Sequence, residues 1–324
     1  MNYDNVSFEP AEITWVFHEL DTDNVRLVTN KRKLITLKLD ADETEQLITE
    51  MKKANPKVWV GAFQGNRIPL ADLPNTRGLG GLESGKNSVI ANHRLIRSGA
   101  LHDATAEDID YLRNVMKLSV IIDLRTEMER VLKPDPVIPG VKELHLPLLD
   151  TIEYESIGLR TLSESGVREM MKKGPDMMEE MYRKMVADPE GIRGLKRFFE
   201  VLLNLDSGSC LWHCTQGKDR TGICAALLEE VLGCDRKTIM TDYLVTNACL
   251  KEEEDETEAK MRQLLGLSPS QTAEMNFLFE AQPRFLEGAW DEIDKKFGSM
   301  SEYLEKQLGL TPDKQAQLKQ MFTV

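Results

Sequence analysis

The stretch His213-Cys214-Thr215-Gln216-Gly217-Lys218-Asp219-Arg220-Thr221-Gly222 restricts what this 324-residue chain can fold into more than any other. Ser209-Cys210-Leu211-Trp212 before it is short and apolar and reads as a buried strand. Ile223-Cys224-Ala225-Ala226-Leu227-Leu228 after it reads as a buried helix. A strand entering so short a loop and a helix leaving it imply an α/β architecture, a central sheet covered by helices.

The loop composition points to one kind of ligand. Backbone N–H groups of a tight loop at a helix N-terminus converge on an anion. The same field favours a thiolate at Cys214 over the thiol. Arg220, six positions on, offers a planar fork of donors that fits two oxygens of a phosphate. Gly217 and Gly222 allow close backbone approach, and the Thr221 hydroxyl is placed to donate to the thiolate and cap the helix. Cys214 and Arg220 are thus the expected catalytic pair, with Thr215, Gln216, Gly217, Lys218 and Thr221 as substrate contacts. The chemistry implied is attack of a thiolate on a phosphate ester, through a cysteinyl-phosphate and without cofactor or metal. The bland alternative makes Cys214 a small buried apolar residue; the placement of strand, loop and helix argues against it.

The string resembles the cysteine-dependent phosphatase superfamily, and its Gly-Lys-Asp-Arg-Thr-Gly core is similar to the bacterial tyrosine/lipid phosphatase branch. Pro74-Asn75-Thr76-Arg77-Gly78-Leu79-Gly80-Gly81 resembles that branch's Asn-Phe-Arg-Asp-Leu-Gly-Gly motif. Arg97-Ser98-Gly99-Ala100-Leu101, Ile122-Asp123-Leu124-Arg125-Thr126-Glu127, Leu146-Pro147-Leu148 and the Tyr303–Leu310 region match further segments. The resemblance spans about residues 70–324. It departs at Gly78, where the branch carries an aspartate. It implies a cysteine-phosphatase-like sheet flanked by helices with a helical C-terminus, acting on phosphotyrosine proteins and on phosphoinositides.

A proton donor for the leaving oxygen is also needed, and two aspartates compete for the role. Asp219 lies inside the loop and needs no movement to be close. Asp150 follows the end of a strand, where related dual-specificity phosphatases carry their acid on a mobile loop. Asp219 is preferred; its alternative role is to shape the loop, and that of Asp150 is to cap a helix. Asp123 reads as a partner for an arginine near the loop, and His213 as an orienter of the loop backbone. His18, His93, His102 and His145 show no metal-ligand spacing. Lys218 adds a cation that favours a substrate with several anionic groups. The alternatives are an inositol-polyphosphate phosphatase, which shares the loop chemistry, and, from another class, a phosphate-binding pseudoenzyme, opposed by intact Cys214 and Arg220.

Residues 1–70 form a β-rich appendage on sequence pattern, with strands near 13–17, 25–28, 34–39 and 58–60 and a helix at 41–48. Residues 71–324 form the catalytic domain. Thr105-Ala106-Glu107-Asp108 opens a helix whose buried face is Ile109, Leu112 and Met116. Strands follow at 119–124, 142–147 and 209–213, and a helix at 190–203. Beyond 235 the chain reads helical over Lys237–Leu250, Glu252–Leu265, Ser270–Ala281, Arg284–Phe297, Ser301–Gln307 and Pro312–Met321. The run Glu252-Glu253-Glu254-Asp255-Glu256 reads as a solvated face. Segment 150–188, rich in methionine, reads as a helical lid over the site or as core packing. A net charge of −13 argues against nucleic acid as partner, and no apolar run suits stable membrane insertion. Cys210, Cys214, Cys224, Cys234 and Cys249 make an odd set with no disulfide framework, as in a reducing compartment. The N-terminus lacks the basic and apolar regions of a leader. The expectation is a cytoplasmic protein, or a secreted one whose leader has been removed.

Overall fold

Strand Ser209–His213 lies at the centre of a five-stranded sheet, and every one of its residues is buried. The computed structural model describes residues 2–3, 6–18, 23–31, 33–60, 67–68, 70–149 and 164–324. The strand order is Lys142–His145, Leu118–Asp123, Ser209–His213, Leu95–Ser98, Arg77–Gly78. All neighbours are parallel except the last pair. Parallel strands buried on both faces need apolar residues at every position, and Cys210-Leu211-Trp212 supplies them. Cys210 and Trp212 enter a core with Phe198, Phe199 and Ile223. Leu211 enters a second core, on the other face, with Ile96, Leu112 and Met116. Helices Pro189–Leu203, Asp219–Leu232 and Pro283–Phe297 contribute to the first core, and helix Ala106–Asn114 to the second. The last of these is opened by a Thr105/Asp108 capping box.

Near the N-terminus a separate four-stranded sheet runs Leu34–Lys38, Asn24–Thr29, Ile13–His18, Trp59–Val60. Val16, Leu27 and Leu37 on one face pack with Leu47 and Met51 of helix Ala41–Ala54. Trp15 and Phe17, stacked at 4.2 Å, meet Val28 and Val89 on the other. The Arg26–Glu83 ion pair, at 2.7 Å, joins this sheet to the chain beyond it.

Several expectations are corrected. Lys237–Leu250 and Glu252–Leu265 form one helix, Arg236–Leu265, because neither glycine nor proline interrupts it. Ser270–Ala281 is a short helix, Pro269–Ala273, and a 3₁₀ turn, Asn276–Leu278. Ser301–Gln307 is helical as expected, with Ser301 and Glu302 in helix Met300–Glu302 and the rest wound as a π turn, Tyr303–Gln307. The acidic run is not wholly solvated: Glu254 is 7% exposed, one turn beyond buried Leu250. Burial pushes its carboxyl up to about 7, against the pull of Lys218. In segment 150–188, residues 150–163 lie outside the described residues, Tyr154 and Arg160 among them. Helix Glu164–Ala187 follows, and its Met181, Tyr182 and Met185 are buried in the main core.

Candidate active site

The loop after strand Ser209–His213 is held by its carbonyls. His213 O accepts from Leu124 N at 2.9 Å and Thr215 O from Ala100 N at 3.0 Å. Gln216 O accepts from Asn75 Nδ2 at 2.8 Å and Gly217 O from Arg97 Nη2 at 3.1 Å. Lys218 O accepts from Gly222 N at 2.9 Å. The peptide unit is planar and trans, so a carbonyl turned outward turns the next residue's N–H inward. The loop interior is thereby lined with donors, the condition for binding an anion. Gly217 makes this turn possible with φ +73°; a Cβ there would lie 2.5 Å from the Ser98 carbonyl.

Cys214 sits at the base of the loop, 2% exposed. Arg220 is buried at its far side, and its fork is occupied by a residue that sequence reasoning missed. Glu129 takes Arg220 Nη1 at 2.6 Å and Nη2 at 2.7 Å, and the Thr215 hydroxyl at 2.5 Å. Its Oε2 also accepts from Thr126 N at 2.9 Å, closing the capping box of helix Glu127–Leu132. Burial works against its ionisation, but the Arg220 bonds win and hold the carboxyl at about 2. The Thr126-x-x-Glu129 spacing was a visible sign of the cap; nothing local announced a bond across 91 residues.

Behind the loop lie two charged clusters. His213 is fully buried, with Nδ1 3.2 Å from Cys214 O and Nε2 3.2 Å from Asp135 Oδ2. Arg125 joins Asp135, at 2.6 Å, to Asp123, at 2.8 Å. Burial raises the Asp135 carboxyl, whereas Arg125 outweighs burial at Asp123 and lowers it. Asp123, Asp135 and His213 are the grouping that could hold a metal among the described residues. Their carboxylates are already bonded by Arg125, and Asp123 also by Arg130, so guanidinium groups take the place of a cation. In the second cluster Asp242 binds both Arg77 and Arg97, and Arg77 also bonds Asn75. The two arginines overcome burial and keep Asp242 ionised, while burial beside that anion pushes the Glu229 carboxyl up. Two guanidinium charges thus face one carboxylate beneath the loop. Asn75 and Arg97, known from sequence only as motif members, tie this cluster to the loop carbonyls.

The other sequence candidates are placed as follows. Asp219 opens helix Asp219–Leu232, and its Oδ1 accepts from Tyr182 Oη at 2.6 Å. Asp150 lies outside the described residues. Lys218 is 1% exposed, and its ammonium donates to Leu278 O at 2.8 Å, within the protein. The capping role given to Thr221 is corrected: the N-cap is Lys218, with no side-chain cap bond, because the helix starts three residues earlier than that role requires. The Thr221 hydroxyl is buried and has no hydrogen-bond partner among the described residues. Thr215 is exposed at the mouth and Gln216 half-buried beside it.

Comparison with known proteins adds a separate line. The profile of the tyrosine phosphatase family matches residues 68–324. A protein of Cupriavidus necator named as a tyrosine-protein phosphatase is 28% identical over 237 residues, covering 73% of this chain and 82% of that one. The tyrosine-protein phosphatase of Nostoc commune is 27% identical over 51% of this chain and 52% of its own. The triple specificity protein phosphatase PtpB of Mycobacterium tuberculosis is 26% identical over 65% of this chain and 84% of its own. Among solved structures, P. aeruginosa TpbA in complex with phosphotyrosine matches with a TM-score of 0.24 and 15% identity, covering 50% of this chain and 74% of that one. That likeness is too slight to bear on this chain.

Proposed function

The chain belongs to the tyrosine phosphatase family, and from that premise and the loop geometry we propose that it hydrolyses phosphotyrosine in proteins through a cysteinyl-phosphate on Cys214. The observation that carries this reading is the outward turn of the loop carbonyls, which points the N–H groups at the space between Cys214 and Arg220. In the first step Cys214 Sγ forms a bond to phosphorus as the ester P–O bond breaks. The departing oxygen takes a proton from Asp219. In the second, water gives a proton to the Asp219 carboxylate and bonds to phosphorus, the S–P bond breaks, and orthophosphate and the thiolate are released.

Arg220 and the loop N–H groups hold the non-bridging oxygens in both steps. A guanidinium carries five N–H donors, and Glu129 engages two of them. Glu129 thus fixes the plane of the fork against which the phosphate seats. His213, anchored by Asp135, orients the carbonyl of Cys214 and with it the sulfur. A phosphoinositide substrate stands second. Its support was the extra cation of Lys218, and that ammonium is bonded to Leu278 O.

The test is a quenched turnover experiment with three substrates: a phosphotyrosine peptide, phosphatidylinositol phosphates and inositol hexakisphosphate. The peptide is expected to react fastest, with labelled phosphate trapped on Cys214 after acid quench. Cys214→Ser should trap none and release none while still binding orthophosphate. Turnover of an aryl phosphate by Cys214→Ser near the wild-type rate would refute the covalent route. Preference for a lipid or inositol substrate would overturn the substrate assignment.

A further inference from the structure

Asp219 Oδ1 is fixed by a buried phenol. Tyr182, on helix Glu164–Ala187, is fully buried, and its Oη lies 2.6 Å from Oδ1. Tyr243, on helix Arg236–Leu265, is 1% exposed, and its Oη lies 2.7 Å from that of Tyr182. A phenol has a single hydrogen to donate. An ionised carboxylate can only accept, so the Tyr182 hydrogen goes to Asp219. Tyr243 must then donate to Tyr182, and the bonds run Tyr243 to Tyr182 to Asp219. Lys218 Nζ is also nearest Oδ1, at 3.9 Å. Oδ2 has no hydrogen-bond partner among the described residues.

We propose that Tyr182, backed by Tyr243, is the positioning residue of the general acid, holding Asp219 by Oδ1 so that Oδ2 carries the proton given to the leaving oxygen. This rests on the reading of Asp219 as the acid given above. The geometry makes the choice of oxygen. With Oδ1 already accepting a hydrogen from Tyr182, a proton that arrives on the carboxyl group settles on Oδ2. After the first step the negative charge rests on a carboxylate still bonded to Tyr182, ready to take a proton from water. Burial, first, and the neighbouring Asp219 charge push the Tyr182 hydroxyl well above its ordinary value. Burial does the same for Tyr243. Both phenols therefore remain donors throughout the working pH range. The ring of Tyr182 packs on Phe285 at 5.6 Å and would do so equally as phenylalanine.

The experiment compares kcat on phenyl phosphate, a poor leaving group, with kcat on 4-nitrophenyl phosphate, a good one, in full-length chain. Asp219→Asn is expected to lose about 100-fold or more on phenyl phosphate, and much less on the nitrophenyl ester. Tyr182→Phe should widen the gap between the two substrates by about 10-fold, with inhibition by orthophosphate at the wild-type value. Tyr182→Phe combined with Asp219→Asn should be no slower on phenyl phosphate than Asp219→Asn alone. Equal losses on both substrates in Tyr182→Phe, or no loss on either, with the Asp219→Asn gap intact, overturn the positioning role alone. An absent gap in Asp219→Asn places the acid elsewhere and removes both readings. Should Tyr182→Phe fail to fold, Tyr243→Phe carries the test: a wider gap supports the chain of bonds, and an unchanged one overturns it.

Discussion

Replacing Glu129 with glutamine removes one negative charge from beside Arg220 while keeping nearly the same shape. In the folded protein this carboxylate is 20% exposed and bonded to both terminal nitrogens of Arg220. Burial opposes its ionisation, yet the Arg220 bonds lower its pKa from 4.5 to about 2. At about 1.4 kcal/mol per pH unit, the pairing is worth about 3 kcal/mol to folding at neutral pH. The sign follows from linkage. A carboxyl with a depressed folded pKa contributes its full stabilisation above the unfolded value of 4.5 and loses it as pH falls toward about 2. Glu129→Gln is therefore expected to be about 3 kcal/mol less stable at pH 7, and the two stabilities should converge between pH 4.5 and 2. Urea denaturation followed by tryptophan fluorescence at several pH values reads both. Orthophosphate adds an arm that connects stability to function, since an anion in the loop can replace the lost carboxylate beside Arg220. Phosphate should then stabilise the variant more than the wild type. A difference of equal size at pH 7 and pH 3, or none at pH 7, would refute the account of Glu129 as an ionised partner of Arg220.

Three further outcomes are expected. Gly217→Ala must put a Cβ 2.5 Å from the Ser98 backbone at φ +73°, so thermal melting should show a lower midpoint and orthophosphate should no longer raise it. Arg220→Lys keeps the charge but cannot reproduce the planar pairing with Glu129 or phosphate; kcat/KM on a phosphotyrosine peptide should fall by about 100-fold or more, and a loss under tenfold would count against the fork. Peroxide should inactivate the enzyme in a way that thiols reverse, with sulfenic acid at Cys214. Burial pushes the Cys210 and Cys224 thiols up and makes them poor nucleophiles, so mass spectrometry should find no disulfide from Cys214 to either; finding one would refute that reasoning.

The sequence by itself determined the elements next to the site. Strand Ser209–His213 was legible because the middle of a parallel central strand is buried on both faces and Cys210-Leu211-Trp212 is a continuous apolar run. The loop was legible because its glycines, cysteine and arginine must fall within ten consecutive residues to surround one anion. The capping box at Thr105 was legible for the same reason, as interactions spanning three or four positions leave their mark in the local string. Tertiary structure alone decided what holds that loop. Glu129 reaches Arg220 across 91 residues, Asn75 reaches Gln216 across 141, and Asp242 gathers Arg77 and Arg97 across 165 and 145. It also sent the Lys218 ammonium to Leu278 O, where sequence reasoning had aimed it at substrate, and buried Glu254 within a run of acidic residues that otherwise faces water. The physical reason is common to all of these. A buried polar group must find a partner wherever the packed chain brings one, or give up its charge as Glu254 does, and the spacing of residues along the sequence holds no record of which distant segments the sheet and its helices place together.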